Sequence, residues 1–102
     1  MSILEQKNIF DNLKFIPDGP AKYPIYISEK FKVMRISLKK GSEIEPHDES
    51  HPVVFLVLKG KAIFPTVSGE VELGESDYIT YSETEPRGIK SLEDLVVLVI
   101  RD

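Results

Sequence analysis

Both histidines of the chain lie in one short segment, residues 41–60, GSEIEPHDESHPVVFLVLKG. In an extended backbone alternate side chains share a face, so His47, Glu49 and His51 form an N, O, N donor set of the kind that takes zinc, iron, nickel or manganese. Pro52 and the acidic neighbours Asp48 and Glu49 point the other way for His51, toward a turn with its imidazole in solvent. His47 has a second reading as a pocket-lining residue. No other catalytic signature competes: cysteine is absent, no glycine pattern forms a phosphate loop, and no serine sits in a nucleophile elbow. The carboxylates of Glu70, Glu72, Glu75 and Asp77 read as turn and solvent-face residues, and no residue is assigned a catalytic role.

The elements that must position this segment are strands. Residues 31–38, FKVMRISL, alternate with Met34, Ile36 and Leu38 on one face and Val33, Arg35 and Ser37 on the other. Residues 53–59 are apolar on both faces, as is the last strand, 95–101; such strands need cover on both sides, from a second sheet and from something further such as another subunit. Shorter strands are expected at 25–27, around Ile44, and at 61–65, 70–73, 78–81 and 86–90, separated by glycine, proline and acidic turns. Residues 3–15 fit neither period and read as a short helix or an extra edge strand covering an open end of the core. The fold expected is all-β, a sandwich or barrel of the jelly-roll kind with eight or nine short antiparallel strands, in a single domain over 1–102 with a cap to about residue 24.

Charge and hydropathy narrow the partners. With 17 acidic against 13 scattered basic residues, the net charge of −4 disfavours nucleic-acid binding. No apolar run is longer than residues 95–100, far short of the roughly 20 residues of a membrane helix, and the first ten residues lack the pattern of a secretory signal. A cytoplasmic location is the default expectation, and the doubly apolar strands suggest a homodimer.

Residues 41–60 and 69–88 resemble the two motifs of a small single-domain cupin. In the first, Gly41, His47, Glu49 in the usual place of the second histidine, and Gly60 keep the spacing; the second, GEVELGESDYITYSETEPRG, keeps the glycine, acidic turn, aromatic strand and proline. The resemblance implies a cupin jelly-roll barrel. It also exposes departures, because Val53 stands where a metal-binding cupin has glutamate and Arg87 where it has the last histidine. Valine has no donor atom and arginine no lone pair for a metal. The resemblance therefore implies a small-molecule-binding or regulatory cupin without catalytic metal or other cofactor. His47, Glu49 and Arg87 are the ligand-binding candidates, Tyr78 and Tyr81 are possible walls, and a small carboxylate or phosphate anion is the expected ligand. The other reading of an inward Arg87, and the first one to weigh, is a polar staple with Glu49 in place of the metal. The alternative is a metal-dependent isomerase, decarboxylase or dioxygenase holding one divalent transition metal weakly through His47, Glu49 and His51. A third reading, a purely structural domain, requires side chains such as Met34 and Phe55 to fill the cavity.

Overall fold

A computed structural model of the chain describes residues 4–47 and 51–102. Among the described residues nine strands are present: β1 Ala21–Ile27, β2 Lys32–Leu38, β3 Glu43–His47, β4 Val53–Lys59, β5 Ala62–Thr66, β6 Gly69–Leu73, β7 Tyr78–Tyr81, β8 Arg87–Ser91 and β9 Leu95–Arg101. They form a five-stranded sheet in the order β1-β2-β9-β4-β7 and a four-stranded sheet in the order β3-β8-β5-β6, with every pairing antiparallel. This is the expected all-β jelly roll.

The core is built from one face of each sheet, as period-2 alternation requires. Leu38, Val57, Leu95 and Val97 from the larger sheet meet Ala62, Phe64 and Ile89 from the smaller, all 1% exposed or less. Phe55 lies against both Phe64 and Tyr81, with ring centroids 5.8 Å apart in each pair. Burial is uneven along the inner ladder. It begins at the sealed Leu38–Leu95 pair and ends at Lys32–Arg101, where Arg101 is only half-buried and is also paired with Val53. That end of the sandwich is open.

The outer face of the larger sheet is covered in part by the chain's own beginning. Residues 4–20 contain turns but neither helix nor strand, so the short helix or extra strand expected there does not form. Their backbone is held instead by β2. Arg35, 2% exposed, donates from its guanidinium to the carbonyls of Ile9 (2.9 Å), Asp11 (2.6 Å) and Asn12 (3.2 Å) and stacks over Tyr23. The Ser37 hydroxyl donates to the Lys14 carbonyl. The irregular segment thereby gains the backbone partners that a strand would have found in a ladder. The rest of that face stays partly open, with Val54, Leu56, Leu58 and Leu98 half-buried and Ile100 and Tyr78 exposed. β1 also starts earlier than its proline suggests: it pairs with β2 from Ala21 and passes Pro24 at a register shift, as an edge strand can.

Candidate functional site

A cavity of about 200 Å³ opens at the unsealed end, between the sheets. Its walls are apolar: Met34 and Ile36 from β2, Val53 and Phe55 from β4, Val99 from β9, and Ile44 and Ile89 from β3 and β8. Met34 and Phe55 line the space without filling it. Four polar side chains join them, Lys22, His47, Arg87 and Arg101, and no carboxylate does so among the described residues.

The position of His47 depends on a bulge. Ile44 pairs with Ile89 and His47 with Arg87, so three steps along β3 match two along β8. An extra residue in one strand reverses the facing of everything beyond it. Ile44 and His47, three apart, therefore both reach the cavity, where unbroken alternation would have sent one of them outward. Gly88 makes the bulge possible, since a Cβ there would stand 2.7 Å from the Ile44 carbonyl oxygen and 2.9 Å from the Pro46 nitrogen. His47 Nδ1 lies 3.1 Å from the Glu45 carbonyl, which can only accept; in the neutral ring the hydrogen therefore sits on Nδ1 and the lone pair on Nε2.

Arg87 is 4% exposed, and its guanidinium is largely committed to backbone. Nη1 donates to the His51 carbonyl at 2.5 Å, and Nη2 donates to those of Ser82 (2.8 Å) and Glu85 (3.2 Å). Its Nε has no hydrogen-bond partner among the described residues. The turn it grips is closed by a second device: the Glu85 carboxylate accepts from the Ser82 amide at 2.8 Å, which holds the Glu85 carboxyl below the usual carboxylate range, with smaller help from the Arg87 charge. Arg87 thus ties the segment before β4 to the turn before β8. Arg87 and Val53, which follow these two segments, line the cavity.

The other candidates divide. His51 does not line the cavity; its Nδ1 lies 3.2 Å from a carboxylate oxygen of Asp102, with nearly half of its side chain exposed. Glu49, and with it the expected Glu49–Arg87 staple and the third donor of a His47, Glu49, His51 set, lies outside the described residues. Tyr81 is buried and donates its hydroxyl to the Pro65 carbonyl at 2.7 Å. Burial, and then the Glu85 carboxylate, push its pKa up to about 12, against a lowering effect of Arg87. Tyr78 is 66% exposed on the opposite face of the sheet, and neither tyrosine lines the cavity. Sequence reasoning missed Lys22 and Arg101. Arg101 shares its parity with the buried Leu95, Val97 and Val99, a signal that was readable; Lys22 lies in a proline-bounded stretch that reads as loop.

Among the described residues no three His, Cys, Asp or Glu side chains converge; Val53 and Arg87 both line the cavity, one without a donor atom and the other a cation.

No protein-family model and no curated protein matches the sequence. Solved structures do match the fold. An RmlC-like cupin protein from Desulfovibrio desulfuricans superposes with a TM-score of 0.86 at 20% identity, over 97% of this chain and 96% of its own. A protein from Thermus thermophilus gives 0.88 at 21% identity over 96% of both chains. A conserved protein of unknown function from Streptococcus pyogenes gives 0.84 at 16% identity, over 99% of this chain and 89% of its own. The architecture is that of the cupin jelly roll, as the two motifs implied.

Proposed function

We propose that this domain binds a small molecule in the cavity between its sheets and carries no catalytic metal. One observation carries the reading: the cavity retains its space, while Val53 and Arg87 occupy the places where metal-binding cupins have ligands. Arg87 serves the site by shaping its mouth through the His51, Ser82 and Glu85 carbonyls. Elemental analysis of untagged protein tests this against the enzyme reading. Well under one metal per chain is expected, unchanged in His47→Ala. Stoichiometric metal that disappears in that variant overturns the proposal and restores the His47, Glu49, His51 alternative. We propose also that two copies pair through the apolar outer face around Val54, Leu56, Leu98 and Ile100. Leu98 and Leu56 are neighbours in one row across β9 and β4, and Ile100 and Val54 in the next. These four side chains carry no charge, and Arg35 beside Leu98 is buried under the chain's beginning, so the patch can meet its own two-fold copy without like-charge repulsion.

A further inference from the structure

The outer face of the five-stranded sheet is not level. Residues paired across antiparallel strands share a face, and the register gives two outward rows. One runs Tyr26, Val33, Ile100, Val54, Thr80 from β1 to β7; the next, toward the sealed end, runs Tyr23, Arg35, Leu98, Leu56, Tyr78. The β1–β2 half is raised. There Arg35 and Ser37 hold residues 9–14 against the sheet, and Phe31 stacks on Tyr26 with ring centroids 5.4 Å apart. That aromatic pair stands in solvent, Tyr26 56% and Phe31 45% exposed. The β4–β7 half is lower: among the described residues no hydrogen bond ties residues 9–14 to β4 or β7, and both rows end exposed, at Thr80 and Tyr78.

A raised half beside a low half restricts how two copies of this face can meet. Val54, Leu56 and Leu98 are half-buried already, so with Ile100 they supply a small part of the roughly 800 Å² per partner that a stable pair buries. Tyr26 and Phe31, about half exposed, add roughly 100 Å² each, half of the 150–250 Å² that an aromatic side chain can bury. Two symmetric arrangements put face on face. Both keep the strands of the two copies within the roughly 30° of aligned sheet packing, so shape decides between them. An axis across the strands lays β1 on β1, sets raised half against raised half and holds the two β4 strands apart. An axis along β9, the middle strand of the five, exchanges the halves. Resting on the dimer reading above, we propose that two copies pair about an axis along β9. The stacked Tyr26 and Phe31 of each copy then seat at the Thr80 end of the other, and residues 9–14 cover the partner's Leu56. The aromatic hairpin end, not the centre of the sheet, is the anchor of the pair.

The chain has no cysteine, so introduced thiols report the axis without background. Lys30→Cys, in the exposed β1–β2 turn, and Glu83→Cys, just past β7, stand beyond the same end of the sheet at its two edges. Mixed together and treated with a short bismaleimide, the two variants should give a covalent heterodimer. Either alone should not, because an axis along β9 leaves the two β1 strands about 19 Å apart, four strand spacings. In sedimentation of the whole chain, Tyr26→Ser with Phe31→Ser should weaken dimerisation at least about tenfold. Val67→Ser, 75% exposed in the β5–β6 turn of the other sheet, should leave it unchanged. Cross-linking of either thiol variant alone, or of no combination in a chain that sediments as a dimer, overturns the axis. A dimer that Leu56→Lys dissociates but the aromatic variant does not removes the hairpin anchor and leaves the outer-face reading standing. A chain monomeric at every concentration removes both.

Discussion

Replacing Arg87 by methionine separates a structural clamp from a ligand anchor. The substitution keeps most of the side chain's length and apolar stem but removes all the donors that reach the carbonyls of His51, Ser82 and Glu85. A hydrogen bond from a charged group contributes about 1.5–3 kcal/mol. Three of them exceed the net loss, because methionine also removes the cost of burying a guanidinium, several kcal/mol for a group this enclosed. The balance is a destabilisation of about 3 kcal/mol, a large part of the roughly 5–15 kcal/mol expected for a domain of this size. With a urea dependence of about 1.5 kcal/mol per molar, the unfolding midpoint should fall by about 2 M. Arg87→Lys should lie between, since one ammonium keeps the charge but cannot fan out to carbonyls in two separate segments. The reasoning is refuted if the methionine variant unfolds within about 0.5 M of the parent chain, because Arg87 would then not hold the mouth together.

Gly88→Ala should cost about 2 kcal/mol, in the range for overpacking, and shift the amides of residues 44–47, because its Cβ would meet the Ile44 and Pro46 backbone rather than a side chain that could yield; unchanged spectra would remove the bulge as the device that aims His47. Tyr81 ionises late: its folded pKa of about 12 lies above the unfolded value near 10, so its contribution is complete below about pH 10 and is lost as pH rises toward 12, and tyrosinate absorbance should show one of the four tyrosines titrating last. The carboxyl of Glu85 has the opposite sign, with a folded pKa below the unfolded one; the bond to Ser82 is present above the unfolded value and lost as pH falls through the folded one, so acid should speed amide exchange at Ser82 first, an effect absent in Glu85→Gln. Sedimentation should give a dimer that Leu56→Lys converts to monomer, and a monomer at every concentration would reject the pairing.

The strands with the least ambiguous patterns were legible. β4, β7 and β9 have the bounds expected for them, because apolar runs stopped by glycine, by paired acids or by the chain's polar turns leave little choice of register. The beginning of the chain was not legible. Residues 4–20 have no period because they answer to Arg35 and Ser37 far along the chain, and a hydrogen bond from a side chain to a distant carbonyl leaves no local pattern. At the site, the pocket's location beside β4 could be read, and so could the inability of Val53 and Arg87 to bind metal. The facing of His47 was obtained from an alternation that the β3 bulge interrupts, and the clue to that interruption lies in Gly88, on a different strand. The role of Arg87 depends on where loop carbonyls point, a matter of tertiary geometry alone. Tyr78 and Tyr81 illustrate the same limit, since spacing put both near the second motif while the sheet sends Tyr78 outward and ties Tyr81 to Pro65.

The cost of placing Arg87 in a sandwich interior bears on the sign of the whole site. Carbonyl dipoles satisfy its Nη atoms but carry no net charge, so a full positive charge remains inside a region from which water is largely excluded. Lys22 and Arg101 add to that potential from other parts of the cavity lining, while the acidic surplus of the chain is spread over its surface and screened beyond a Debye length of about 8 Å at physiological ionic strength. An anion at the entrance therefore responds to the local cations more than to the net charge of −4. A metal-binding cupin concentrates positive charge at this place with an ion held by histidines; here arginine supplies the charge covalently. On the function proposed above, the exchange changes what this position offers, because a guanidinium committed to carbonyls has no open coordination position.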